Sequence, residues 1–72
     1  MIKRYIKNIH LMLNTLKYGD KVYVENESVY YMMENGKIYE CDKEDDGATC
    51  TYVDAEKFRN VVMKKNIYYY KK

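Results

Sequence analysis

The sequence predicts an α+β fold: an antiparallel meander sheet of four to five strands, with an N-terminal helix and a second helix before a C-terminal strand, in the order α-β-β-β-β-α-β. Three observations predict it. Asn35-Gly36 stands between two β-prone runs, residues 30–33 and 38–41, and both central residues of a type I′ hairpin turn need the positive φ that Asn-Gly adopts at least cost. Apolar residues recur at three- and four-residue spacing near the N-terminus, the period of an amphipathic helix. Asp54, ahead of Ala55 and an apolar stripe, has the character of a helix N-cap.

Taken in order, residues 2–18 read as the first helix. Ile2, Tyr5, Ile6, Ile9, Leu13 and Leu16 form its stripe, Lys3, Lys7, Asn14 and Lys17 its polar side, and Gly19 its C′ residue. Leu11 falls off the stripe, and with Met12 marks a candidate contact surface. Val22-Tyr23-Val24 is a short strand, residues 25–28 a turn, and residues 29–33 a second strand. The Asn-Gly turn fixes the next register: Met33 opposite Ile38, Met32 opposite Tyr39, Tyr31 opposite Glu40, Tyr30 opposite Cys41. Residues 37–42 form the third strand. If residues 44–47 are a four-residue loop, residues 48–53 return as the fourth, with Cys41 opposite Cys50 and Tyr39 opposite Tyr52.

Alternation then sorts the side chains. Tyr30, Met32, Tyr39, Cys41, Cys50 and Tyr52 share one face, expected to lie under the helices. Val29, Tyr31, Met33, Ile38 and Val53 share the other with Glu40, Asp42, Thr49 and Thr51. The second helix runs from Ala55 to about Lys65, burying Ala55, Phe58, Val61 and Val62, with Glu56 and Lys64-Lys65 suiting its dipole. Residues 67–70 make a last, edge strand, closed by Lys71-Lys72 as a guard against aggregation. This order resembles that of double-stranded-RNA-binding domains, α-β-β-β-α, but Asp54 and Glu56 stand where such domains carry basic residues.

The 72 residues make one domain, 1–72, with a small core; a chain this size buries only about 60% of its unfolded surface, so a homodimer through an uncovered apolar face is expected. No apolar run approaches a membrane span, and Lys7, Asn8 and His10 interrupt any secretory h-region. A cytoplasmic location follows, with Cys41 and Cys50 expected as free thiols, a cross-strand disulfide being the alternative. Lys, Tyr, Asn and Ile supply 32 of 72 residues. All four have AT-rich codons, which points to a low-GC bacterium or one of its phages or plasmids.

Charge is divided along the chain. Residues 1–19 carry +4, residues 20–56 carry −8 and residues 57–72 carry +6, for a net +2. Such a division speaks to partners, not to fold.

No catalytic, cofactor-binding or metal-binding residue is expected. His10 has no local partner to orient it. The cysteines lack two further zinc ligands, and residues 42–47 echo a calcium loop that fails at its third position, Glu44, at its twelfth, Val53, and in its strand flanks. The ten tyrosines stand out: exposed Tyr serves protein interfaces, and among basic residues it stacks on single-stranded bases.

Two functions are therefore expected. In the first, the chain is a non-enzymatic phage or mobile-element protein that inhibits a host nucleic-acid-handling protein: a sliding clamp, an RNA polymerase or a defence nuclease. It would do so by DNA mimicry, presenting Tyr31, Glu40, Asp42, Glu44, Asp45 and Asp46 to a basic groove. In the alternative, it is a nucleic-acid-binding regulator using Lys64, Lys65, Tyr68, Tyr70, Lys71 and Lys72. The −8 block argues against direct nucleic-acid retention.

Overall fold

The computed structural model describes residues 2–45 and 47–71. The elements are β1 (Ile2–Ile6), α1 (Ile9–Lys17), β2 (Val22–Val24), β3 (Val29–Glu34), β4 (Lys37–Asp42), β5 (Cys50–Val53), α2 (Ala55–Val62) and β6 (Ile67–Lys71). All six strands join one antiparallel sheet in the order β1-β6-β2-β3-β4-β5. The expected α+β class and the meander from β2 to β5 are both present.

The hairpin is as the Asn-Gly pair dictates. Asn35 and Gly36 have φ of 53° and 77°, and the register runs Glu34 to Lys37, Met33 to Ile38, Met32 to Tyr39, Tyr31 to Glu40 and Tyr30 to Cys41. The next ladder pairs Tyr39 with Tyr52 and Cys41 with Cys50. One further bond follows, from the Asp42 amide to the Thr49 carbonyl, while the Lys43 amide extends the β3 side to Ser28; β5 begins at Cys50 and not at residue 48.

The N-terminus corrects the expected helix. Residues 2–6 are strand β1, paired with β6 from Ile2–Lys71 to Ile6–Ile67. Isoleucines at positions 2 and 6 satisfy a two-residue repeat as well as a helical one, and the neighbouring strand settles the choice. The helix begins at Asn8, whose side chain accepts from the His10 and Leu11 amides at 2.8 and 3.3 Å. It ends as expected at Gly19, φ 89°: the Gly19 amide reaches the Leu16 carbonyl and the Asp20 amide that of Thr15, a Schellman closure. Met12 lies in the core, so the contact surface expected of Leu11 and Met12 reduces to Leu11, 57% exposed.

Helix α2 is shorter than expected, ending at Val62. Asp54 does cap it, accepting from the Lys57 amide at 2.8 Å, but Ala55 is exposed. Strand β6 is interior, between β1 and β2; the edges are β1 and β5.

One correction matters most for function. The two expected sets of facing residues are right, but the helices cover the other set. Tyr31, Ile38 and Val53 join Val22, Val24, Ile6 and Ile67 in a core closed by Met12 and Leu16 of α1 and Phe58 and Val62 of α2. The Tyr31 and Phe58 rings meet edge to face, 5.0 Å apart. A two-residue period groups side chains without saying which group faces the helices. Aliphatic Val and Ile lose nothing by burial, whereas each Tyr hydroxyl needs water or a partner.

Candidate functional site

With both helices on one side, the opposite face of the sheet is left uncovered by helix. Alternation places Tyr5 of β1, Tyr68 and Tyr70 of β6, Tyr23 of β2, Tyr30 of β3, Tyr39 of β4 and Tyr52 of β5 there. Five of these rings form a continuous tract. Tyr5 lies 5.9 Å from Tyr68, Tyr68 stacks on Tyr23 at 5.4 Å and 16°, and Tyr23 lies 5.8 Å from Tyr30. Tyr70 packs edge-on against both Tyr23 and Tyr68, at 5.4 and 5.6 Å. Tyr39 and Tyr52 form a second pair, 6.2 Å apart. The outer rings are open: Tyr5 and Tyr52 are 52% and 56% exposed, while Tyr30 and Tyr68 are packed beneath their neighbours.

Lysines frame the tract. Lys3 Nζ lies 4.1 Å from the Tyr68 ring centroid and 5.2 Å from that of Tyr5. Lys21 sits over Tyr30 and Lys43 over Tyr23, at 5.0 and 5.6 Å. These cation–π contacts hold the stems against the rings while each ammonium keeps its charge. Lys37 shares this face by alternation, directly opposite Glu34. At one end, Glu25 accepts from the Tyr5 hydroxyl and from Asn66 Nδ2 at 3.1 Å, with Lys3 Nζ at 3.8 Å. The Tyr5 hydroxyl, then Asn66 and Lys3, hold the Glu25 carboxyl below the usual carboxylate range. Lys3 is held above the usual lysine value, first by its hydrogen bond with Tyr5.

The acidic set expected to form a binding surface is divided between the helix side of β3 and β4 and the turn that follows β4. Tyr31 is in the core, 1% exposed, and its hydroxyl donates to Glu40 at 3.1 Å. Glu40 and Asp42 are half-buried on the helix side of β4. Asp42 accepts from the Glu44 amide at 2.8 Å, and hydrogen bonds from Thr49, above all its side chain, hold Asp45 below its usual pKa. These carboxylates shape the turn between β4 and β5, and Asp46 lies outside the described residues. The basic alternative set divides as well. Tyr68 and Tyr70 belong to the tract, but Lys71 falls on the helix side of β6, Lys64 and Lys65 follow α2, and Lys72 lies outside the described residues.

Cys41 and Cys50 form a disulfide, with Cα atoms 4.2 Å apart, which corrects the expectation of free thiols. The register already set the two residues opposite each other, at the close spacing of a cross-strand pair. His10 is exposed at the start of α1, and among the described residues no three His, Cys, Asp or Glu side chains converge where a metal could sit. Among the same residues, no helix is long and apolar enough to cross a membrane.

The sequence signalled Tyr68 and Tyr70 but missed Lys3, Tyr5, Lys21, Tyr23 and Lys43. The signal for these residues in β1 is the alternation of residues 2–6, which puts Lys3 and Tyr5 on one face of a strand. No protein-family model, curated protein or solved structure matches the chain.

Proposed function

We propose that the protein binds single-stranded nucleic acid across its open sheet face, bases stacking on tyrosine rings and phosphates attracted by the flanking lysines. One observation carries this reading: seven of the ten tyrosines lie on the face without helices, with Lys3, Lys21 and Lys43 against their rings. Base–aromatic stacking contributes about 1–3 kcal/mol per base without regard to sequence, and lysines beside the rings supply the attraction for phosphate. The −8 block opposes this less than the linear sequence implied: Glu40 and Asp42 fall on the helix side and Glu44 and Asp45 on a turn, while Glu25 and Glu34, at the open face, stand against Lys3 and Lys37. No step of chemistry is required, and we read the protein as a binding module.

Inhibition of a host protein by DNA mimicry is the competing reading. It needs a coherent acidic surface, whereas Asp42 and Asp45 serve a turn. A homodimer through the open face would bury the same rings and compete with nucleic acid. We take the site of action to be the cytoplasm of a low-GC bacterium, as residue usage suggests. The Cys41–Cys50 bond would meet a reducing pool there, so binding should be measured with the pair oxidised and reduced.

The test is fluorescence anisotropy of short labelled homopolymers, with tyrosine emission followed in parallel. Single strands should bind more tightly than duplex, quench the tyrosines, and weaken with salt at about −0.7 in log K per phosphate contacted. An unchanged anisotropy at about 100 µM protein, where even weak phosphate-driven binding registers, would overturn the proposal. A stable dimer that excludes the oligonucleotide would favour self-association.

A further inference from the structure

The tyrosine tract crosses the sheet from β3 to the edge strand β1 and ends at Tyr5. Tyr5 is also the lip of something else. A cleft of about 410 Å³ between β1 and α1 is lined by Arg4, Tyr5, Lys7, Leu11 and Tyr69, among others. A second cleft of about 300 Å³ adjoins it at Lys7 and is lined by Met63, Lys64 and Lys65. The first has Tyr5, a residue of the open face, in its lining together with Arg4 and Tyr69 of the helix side, and the second shares Lys7 with it.

The charge in these clefts is one-sided. No carboxylate among the described residues lines either of them. Among the described residues the ion pairs are Lys3–Glu25 and Lys65–Glu27, so no described acid pairs with Arg4, Lys7 or Lys64. Unpaired cations gathered in a concave site, with an apolar wall from Leu11 and Tyr69, favour an anion and not an acceptor-poor apolar ligand.

We propose that these clefts bind phosphate groups of the same single strand after it has passed over β1, with Arg4 and Lys7 as the principal contacts and Lys64 beyond them. This rests on the reading of the open face as a base-stacking surface. Alternation along one edge strand divides the labour: Lys3 and Tyr5 face the bases, while Arg4, with Lys7 just past the strand, takes the backbone as it turns the edge. Arg4 can bind a phosphate bidentately, and Lys7 acts as a point charge.

The experiment compares wild type with an Arg4→Ala, Lys7→Ala double variant and with a Lys17→Ala, Lys57→Ala control, which removes the same charge elsewhere. Loss of two phosphate contacts should reduce the salt slope for single strands by about 1.4 and weaken binding at low salt, with tyrosine quenching in the bound state unchanged. The control should keep the wild-type slope. A slope unchanged in the Arg4, Lys7 variant, while wild type binds, overturns this inference and leaves the stacking surface standing. Amide shifts on titration with inorganic triphosphate give a readout independent of stacking. Lys7, Asn8 and Leu11 should respond and Tyr23 and Tyr70 should not. If wild type binds no oligonucleotide, that response alone upholds the anion site, and its absence overturns it.

Discussion

The Tyr31 hydroxyl donates to Glu40 across the β3–β4 ladder at 3.1 Å, on the side of the sheet that the helices cover. The pair was legible as a register, yet its setting reverses its meaning. It anchors the core instead of offering a contact surface. Tyr31→Phe should leave the half-buried Glu40 carboxylate without its donor and cost about 1–2 kcal/mol in urea unfolding. Burial, then the charge of Glu40, raises the Tyr31 pKa. Its contribution is thus present below the unfolded value of about 10 and lost as pH rises above it. Spectrophotometric titration should show Tyr31 ionising above the ordinary tyrosine value, with loss of the fold. An ordinary midpoint for it would contradict that setting.

Glu25 connects three strands through Tyr5, Asn66 and Lys3. Its depressed pKa means that its contribution is present above the ordinary carboxylate value and lost as pH falls through the lower, folded one. A carbon-detected titration should put its midpoint below the ordinary carboxylate value, and Tyr5→Phe should move it upward, because the Tyr5 hydroxyl is its main support. A Glu25 midpoint unmoved by that substitution would show the hydrogen bond to be absent in solution.

How far the sequence spoke is clear from three places. Asn35-Gly36 fixed a register through Tyr30–Cys41 because its turn geometry is local and leaves one choice. The helix ends at Asp54 and Gly19 were likewise local. Residues 2–6 were misread because their partner, β6, lies more than sixty positions away, and only that pairing distinguishes a strand from a helical turn. The choice between the two sheet faces is also non-local: it is made by Met12, Leu16, Phe58 and Val62 arriving together. The candidate site inherited that error, since a face thought to be buried proved to be the open one.

The Cys41–Cys50 bond closes the turn that carries Lys43 over Tyr23. Loop-closure entropy for so short a span gives at most about 2–3 kcal/mol. Replacing both cysteines by serine, or reducing the pair, should lower the urea midpoint accordingly while β3 and β4 stay paired through the Asn35-Gly36 turn. Amide exchange should accelerate in β5 and residues 43–49 before it does in β3. Uniform acceleration across the sheet would mean that the bond supports the whole fold and not this edge.

The last prediction sets the two functional readings against each other. Glu44 changed to Lys, with Asp42 and Asp45 changed to Asn so that their turn contacts keep an acceptor, would weaken binding to a basic protein partner if mimicry were correct, whereas oligonucleotide binding should be unimpaired or slightly stronger. Changing Lys3, Lys21 and Lys43 to Ala should do the reverse. It removes the charges lying over Tyr68, Tyr30 and Tyr23, and should weaken oligonucleotide binding by tenfold or more at low salt while lowering the salt slope by about 2. The fold should tolerate it, since none of the three lysines is in the core. Each lysine also covers ring surface that would become available for stacking, so the loss should shrink as salt rises and only the stacking contribution remains. A loss that persists at about 1 M salt, where charges are screened within about 3 Å, would assign these lysines to holding the rings in place and not to attracting phosphate.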